Sequence, residues 1–355
     1  MKISFCLPGM TRKPVGGFKI VFEYANRLAE RGHKITIFFD GKEQFQNTSF
    51  PVFLQKMILF YLTHIHPFWF PLNKGIKKRC IYGITDKTIY ENEFIVATAV
   101  QTAVPISRLN DKKGKKIYFV QGFENWVCTD EEVIRTYNLG LKNITISKWL
   151  KEIMDANTST PTCYIPNGID FEKFYIKSDI EFRDPFSISM LYHKSSHKGV
   201  VYGIEVLREI KEKYSSLIVK MFGVPDRPKD LPSWIEYTKN ASEKELLEIY
   251  NTTAIYLCST IDEGFGLTGA ESMACGCALV STSYAGVYEY AVHERNALLS
   301  NPKDVKQQVN NIEKLFSDQK YRMELARQGS IDIRDLDWNY SLTLFEKALK
   351  DSDGV

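Results

Sequence analysis

Apolar positions near the start of the chain change period twice. Lys2 to Leu7 is a short apolar run that stops at Pro8-Gly9, and a glycine-bearing loop, Gly9 to Gly17, follows. From about Phe18 to Arg31, Val21, Tyr24, Ala25, Leu28 and Ala29 recur at the three-to-four spacing of one buried helix face. Gly32 supplies a left-handed C-cap, and Lys34 to Phe39 reads as strand again. The pattern predicts a βαβ unit. Further short strands are predicted at Phe94 to Ala97, Lys116 to Val120, Asn143 to Ile146 and Thr162 to Ile165, with helical patterns between most of them, as a parallel sheet requires.

The alternation restarts at Phe186. Strands over Phe186 to Tyr192, Leu217 to Phe222, Ala254 to Cys258 and Ala278 to Ser281 alternate with helices over Gly199 to Tyr214, Ser242 to Asn251 and Leu267 to Ala274. Between the two series lies Pro166-Asn167-Gly168-Ile169-Asp170, a turn-rich stretch that marks a hinge. From Asp304 onward the pattern is helical, with Ala326 to Arg334 and Trp338 to Leu349 on either side of a polar break. The predicted organisation is therefore α/β with two Rossmann-like domains, residues 1–168 and 169–336, and a terminal helix, 337–355, returning to the first domain. A length of 355 residues suits two such cores.

Phe50 to Tyr90 departs from this rhythm. Phe50, Phe53, Phe60, Tyr61, Phe68, Trp69 and Phe70 are interrupted by Lys56, His64, His66 and prolines, and Lys74, Lys77, Lys78 and Arg79 follow. A membrane-spanning helix needs ~20 uninterrupted apolar residues, and charge and proline both break this stretch. Two readings remain: a pair of core or rim helices, or an aromatic and basic surface that rests on anionic lipid or grips a lipid-linked acceptor.

Composition narrows the class without changing that outline. Hydrophobic residues make up 44% and charged residues 25%, the balance of a soluble globular protein, and 46 basic against 43 acidic residues give a net charge of +3, too even to point to nucleic acid. The seven cysteines (Cys6, Cys80, Cys128, Cys163, Cys258, Cys275 and Cys277) are scattered and mostly set in apolar runs, which argues against a disulfide framework and for a reducing cytoplasm. Cys275 and Cys277 have no second pair at zinc-ligand spacing, so no metal site is expected. The opening run before Pro8 is far too brief for a signal peptide.

Candidate chemistry concentrates in Thr260-Ile261-Asp262-Glu263-Gly264-Phe265-Gly266-Leu267-Thr268-Gly269-Ala270-Glu271. This run follows a predicted strand and opens a helix, so the amides of Gly266, Leu267 and Thr268 lie at a helix start with no intrahelical partner. Such amides bind anions, and Gly264 and Gly266 on either side of Phe265 let the backbone approach a phosphate. Glu271 stands one turn past Leu267, roughly 6 Å along the axis, in reach of a ribose held beside the phosphates. Glu263, on the loop ahead of the helix, is placed to meet the donor's sugar. Two carboxylates near a diphosphate need cations, and Lys194 and Lys198 occupy the first strand-to-helix loop of the same half. A nucleotide base would stack around Phe222-Gly223, at the end of another strand, and the loop before Ser242.

These residues resemble a known family. Glu263 to Glu271 reads as the E-x7-E signature of glycosyltransferase family 4 and its relatives of the GT-B fold, in which two Rossmann-like domains face each other across a cleft. The match continues through Glu271-Ser-Met-Ala-Cys-Gly276, Ala285-Gly286-Val287, Asn296 to Leu299, Gly16-Gly17, Ile165 to Asp170 and Lys198-Gly199. Tyr118 to Trp126 looks like the subset that elongates bacterial surface polysaccharides, rhamnosyl transferases among them. The resemblance implies a nucleotide-sugar donor and a glycan or lipid-linked acceptor, with peripheral contact at the inner membrane surface as a further implication and no nucleic acid as partner. It also implies that Glu271 binds ribose, Glu263 contacts the donor sugar, the amides of Phe265 to Thr268 hold phosphate and sugar, and Lys198 neutralises the leaving diphosphate. Gly16-Gly17 would line the cleft from the first domain, close to the donor's phosphates when the domains shut. Many members carry an arginine where this chain has His193, so either His193 or Lys194 would supply the missing charge or Lys198 alone would stabilise the leaving group. Gln121 stands where many relatives have a histidine near the acceptor, and it marks the acceptor side with Glu124.

Members retain anomeric configuration, and no Asp or Glu stands out as a covalent nucleophile, so a front-face mechanism is expected. No DxD-type aspartate pair stands in a suitable loop. Neither metal nor cofactor is expected, the nucleotide sugar being a substrate. Two other readings stay open: another enzyme on this scaffold, such as a nucleotide-sugar epimerase or a phosphorylase-like enzyme, and a sugar-binding protein without chemistry.

Overall fold

A computed structural model describes residues 1–45 and 48–351. The chain divides into two compact units, Met1–Pro166 together with Ser341–Val355, and Asn167–Tyr340. The first unit contains β1 (Lys2–Leu7), α1 (Gly16–Glu30), β2 (Lys34–Asp40), α2 (Gly41–Gln44), α3 (Val52–Ile65), β3 (Lys77–Ile81), β4 (Phe94–Ala97), α4 (Val100–Ser107), β5 (Lys115–Val120), α5 (Asp130–Thr136), β6 (Lys142–Thr145), α6 (Lys148–Asn157) and β7 (Cys163–Tyr164). Its strands form a parallel seven-stranded sheet in the order β3-β2-β1-β4-β5-β6-β7. Central strands of such a sheet are covered on both faces, which is why Ile3, Phe5, Cys6 and Leu7 run almost without a polar break and are all buried.

The second unit repeats the plan with β8 (Ser187–Tyr192), α7 (Val200–Lys213), β9 (Ile218–Gly223), β10 (Ile235–Lys239), α8 (Glu243–Asn251), β11 (Ile255–Cys258), α9 (Leu267–Ala274), β12 (Ala278–Thr282), β13 (Ala297–Ser300), α10 (Val305–Ser317) and α11 (Gln319–Asp332). The sheet is parallel and six-stranded, in the order β10-β9-β8-β11-β12-β13. In each sheet the strand order reverses beside the first strand, between β1 and β4 and between β8 and β11. Loops at the carboxyl ends of those strands are where open α/β sheets take ligands.

The last helix, α12 (Trp338–Lys350), begins in the second unit and ends in the first. Phe345 is fully buried there, its ring 6.2 Å from Phe5, 4.6 Å from Tyr24 and 5.9 Å from Phe119. Burying one such ring stabilises by about 1.5–3 kcal/mol. The Glu346 carboxylate accepts from Arg31 Nη1 at 2.7 Å and contacts His33 Nε2 at 2.5 Å, fixing the returning helix to the end of α1.

The stretch expected as a pair of helices differs from that reading. Only Val52–Ile65 is helical, and the basic run Lys77–Ile81 is the edge strand β3, parallel to β2. An edge strand keeps one row of backbone groups unpaired, and lysines there guard against pairing with other chains. β10 is a second edge strand, also outside the predicted series. All seven cysteines are free thiols, with Cys6, Cys258, Cys275 and Cys277 buried. Among the described residues no helix is long and apolar enough to cross a membrane.

Candidate active site

In the second unit two loops at the carboxyl ends of β8 and β11 are stitched together by backbone. The His197 carbonyl accepts the amides of Ile261 at 2.7 Å and Asp262 at 3.2 Å. This approach requires Gly199, which is left-handed at φ 58°, and whose Cβ would stand 2.0 Å from the Ser259 carbonyl oxygen. The stitch brings Lys198 to Glu263, and the two side chains form an ion pair. Two residues 65 positions apart that the sequence assigned to one site are therefore in contact.

The start of α9 is held from the next strand-to-helix connection. Gly266 is left-handed at φ 94°, and a Cβ there would fall 1.9 Å from the Tyr284 hydroxyl. The Tyr290 hydroxyl donates to the Gly266 carbonyl at 2.9 Å and lies 2.7 Å from the Tyr284 hydroxyl. Gly286 lets that segment pack on the backbone, since its Cβ would be 2.5 Å from the Glu263 carbonyl oxygen. Gly269 and Ala270 donate the first bonds of the helix to the Gly266 carbonyl, which leaves the Leu267 and Thr268 amides ahead of the intrahelical ladder. Glu263, Gly264, Leu267 and Thr268 are partly exposed, whereas Phe265 and Gly266 are buried. Glu271 is only 5% exposed, so most of its side chain is covered.

Electrostatics separate the candidates on the β8–α7 loop. Burial first, then the neighbouring Lys198 charge, hold the His193 and His197 imidazoles below their usual range. His193 is thus neutral near pH 7, and its Nδ1 lies 3.1 Å from the Ser195 amide as an acceptor. That corrects one expectation: His193 does not replace the missing arginine charge, because desolvation beside a lysine disfavours the imidazolium. Lys194, the other substitute, is exposed, and reliance on Lys198 alone is the remaining alternative. A cavity of about 820 Å³ opens beside this loop, lined by Tyr192, His193, Lys194, His197 and Ile261 and extending to Arg208. Glu263, Glu271 and the 264–268 loop are not part of its lining.

Phe222 also departs from expectation. It is 4% exposed, its ring set edge-on to Tyr250 at 5.7 Å, so it is core and offers no stacking face. Its strand β9 lies inside the sheet and buries that side chain. Gly223, at the strand's end, lies against the Tyr192 carbonyl, 2.4 Å from where its Cβ would be. Tyr192 and Tyr237, partly exposed and 5.9 Å apart, are aromatic rings at this end of the sheet that sequence reading passed over.

In the first unit the structure gathers Gly17 with Gln121, whose side-chain nitrogen lies 3.5 Å from the Gly17 Cβ position. Gly16 opens α1 with nothing within 4 Å of its Cβ position. Glu124, three residues beyond Gln121, turns its carboxylate onto the start of α4 and accepts the Val100 amide at 2.6 Å. Burial raises its pKa to about 7, and the opposing effect of the Val100 hydrogen bond is the smaller one. Among the described residues no group of three or more His, Cys, Asp or Glu is arranged to hold a metal ion.

Residues 175–331 match the family described as glycosyl transferases group 1. That match covers most of the second unit. Over 209 residues the chain is 26% identical to an uncharacterized glycosyltransferase of Methanocaldococcus jannaschii, covering 56% of each protein. It is 22% identical over 359 residues to the N,N'-diacetylbacillosaminyl-diphospho-undecaprenol alpha-1,3-N-acetylgalactosaminyltransferase of Campylobacter jejuni, covering 92% of this chain and 89% of that one. The chain thus spans little more than half of the first relative's length. HepE of Anabaena, solved in complex with UDP, superposes with a TM-score of 0.75 at 15% identity, over 98% of this chain and 99% of that one. This likeness shows the fold, two Rossmann-like domains of the GT-B type. The matched segment contains the whole β8–α7 loop, the α9 start and both tyrosines that hold it. Gly286 falls in a stretch already noted as family-like, but nothing in the spacing of Tyr284 and Tyr290 announces their role.

Proposed function

We propose that this chain is a glycosyltransferase that moves a sugar from a nucleotide-sugar donor to a glycan or lipid-linked acceptor, retaining anomeric configuration, in cell-surface polysaccharide synthesis at the cytoplasmic face of a membrane. One observation carries the reading: a segment that matches the group 1 family has backbone amides ahead of the α9 ladder beside a Lys198–Glu263 ion pair. Amides at a helix start and a lysine together favour a diphosphate. In this reading the amides of Phe265 to Thr268 hold phosphate and sugar, Glu263 exchanges part of its pairing with Lys198 for the donor sugar, and Glu271 meets the ribose. Tyr192, at the cavity mouth, is the ring for the base. Gly16 and Gly17 serve the donor's phosphates, and Gln121 and Glu124 serve the acceptor side.

The reaction breaks the bond from the anomeric carbon to the diphosphate oxygen and forms one to an acceptor hydroxyl. The hydroxyl proton passes to the departing diphosphate. Lys198 then stabilises the charge that develops on the leaving group, an effect worth about 2.7–4 kcal/mol for comparable single donors. The donor needs neither cofactor nor metal in this scheme, so transfer persists in chelator; complete loss with EDTA and rescue by a divalent ion would replace it with a metal-assisted one.

A thermal-shift panel of UDP, GDP and dTDP tests the donor site. UDP comes first because HepE was solved with it. A diphosphonucleoside at ~100 times its dissociation constant adds ~2.7 kcal/mol of stability. A panel in which none of the three raises the melting temperature removes the foundation of the proposal.

A further inference from the structure

Helix α3 is built inside out. Its buried residues include Gln55 and Thr63 beside Leu59 and Leu62, while Phe53, Met57, Phe60 and Tyr61 are 67%, 63%, 68% and 66% exposed. The outward residues recur at helical spacing, and the exposed side chains of Phe50, Val52, Ile65 and Phe68 extend the stripe at both ends. Two inward polar groups bond locally: the Gln55 side-chain nitrogen donates to the Phe50 carbonyl at 2.6 Å and the Thr63 hydroxyl to the Leu59 carbonyl at 2.7 Å. Packing within the unit uses the face of Gln55, Leu59, Leu62 and Thr63 and leaves the aromatic one to something else. A contiguous exposed apolar stripe on a folded domain marks a surface with a partner.

Charge identifies that partner. Residues 44–85 contain no Asp or Glu, and their five cations are Lys56, Lys74, Lys77, Lys78 and Arg79. Lys56 lies on the helix itself, and Lys77, Lys78 and Arg79 lie on β3, against which α3 packs. The Lys78 amine donates to the His66 carbonyl at 2.9 Å, just past the end of the helix. Trp69 donates to the Thr11 carbonyl at 3.1 Å, which ties the loop bearing Arg12 and Lys13 to the same region. A self-complementary contact between two copies would set these cations against one another.

We propose that α3 and β3 form a docking face for an anionic lipid bilayer, with α3 lying in the plane of the membrane. The apolar stripe enters the boundary between headgroups and acyl chains, and the cations meet lipid phosphates. At 14 residues the helix is about 21 Å long, short of the ~30 Å hydrocarbon core, so it lies on the membrane and does not cross it. This deepens the proposed function and rests on it only for the cytoplasmic-face setting.

Flotation of the full chain, without nucleotide, on phosphatidylcholine vesicles with and without phosphatidylglycerol tests the proposal. The chain is expected to float with the anionic vesicles and stay behind with the neutral ones. Phe53→Ser with Phe60→Ser, both at exposed positions, should weaken binding about tenfold or more, and Lys74→Glu with Lys77→Glu should do the same. Melting temperatures within error of the parent confirm that both variants fold. Flotation unchanged by the serine pair, or none on anionic vesicles, overturns the proposal. So does self-association that the serine pair abolishes in a chain that never floats. The nucleoside diphosphate shift, measured on the same preparation, keeps the two readings apart: a shift without flotation sinks the lipid surface alone, and flotation without a shift sinks the donor site alone.

Discussion

The starts of α4 and α9 occupy equivalent places in their sheets, each following the strand beside the first one, yet they have opposite chemistry. At α4 the connection after the next strand, β5, sends back a carboxylate: Glu124 takes the Val100 amide. At α9 the corresponding connection after β12 sends back a hydroxyl: Tyr290 donates to the Gly266 carbonyl. One helix start is filled by the chain's own anion, and the other is braced through its carbonyl, with the Leu267 and Thr268 amides left ahead of the ladder. The backbone topology is shared, so whether a helix start is filled or left open depends on what the neighbouring loop contributes. Burial also reverses the usual benefit of a carboxylate at that end, since desolvation of Glu124 outweighs its hydrogen bond.

The largest effect is expected at the braced start. Lys198→Ala should lower the transfer rate ~10²–10³-fold, by analogy with other single charge-stabilising donors. Folding should persist, because the Glu263 it unpairs is partly exposed. Initial rates with the donor named by the nucleotide panel measure this, and a near-normal rate would shift the role to Lys194.

At the filled start the readout is stability against pH. Folding raises the Glu124 pKa from 4.5 to about 7. The folded state therefore holds a proton that the unfolded chain has lost, and this group's contribution falls as pH rises from 4.5 to about 7, then stays flat. Glu124→Gln keeps an oxygen for the Val100 amide without the charge. Urea unfolding should find the variant more stable than the parent by up to about 3 kcal/mol near pH 8, and the two alike near pH 4. Parallel pH profiles would mean that Glu124 is ionised in water rather than buried.

A smaller change is expected from Tyr290→Phe, which removes the brace and leaves the Gly266 carbonyl and the Tyr284 hydroxyl each one partner short. The loss should be about 1–2 kcal/mol in unfolding free energy, with UDP affinity falling in step. Unchanged affinity would show that the α9 start keeps its shape without the tyrosine.

Several strands buried on both faces were legible in the sequence, β1 and β4 with their predicted bounds, although the buried β13 was not; α9 runs over Leu267–Ala274 as its spacing implies. β3 and β10 were not, because Lys-Lys-Arg-Cys-Ile and Ile-Glu-Tyr-Thr-Lys carry the charges that edge strands tolerate. Residues 50–90 misled in the same way, their apolar pattern reporting an outward face where a core was one expectation. At the site, glycines and carboxylates marked the 263–271 run because backbone conformation and helical spacing are local properties. The neutral state of His193 and the core position of Phe222 escaped notice, since each depends on desolvation by residues distant in sequence.

The order of residues by itself determined two βαβ series, the turn-rich break between them, and a helix opening flanked by Glu263 and Glu271, all set by periodicity and turn chemistry over a few neighbouring positions. Only the tertiary structure decided that Lys198 meets Glu263, that Glu124 fills one helix start while Tyr290 braces the other, and that α3 turns its aromatic side outward. Those outcomes depend on how loops from separate strands come together and on which groups lose water when they do, and neither is written in the spacing of residues along one element.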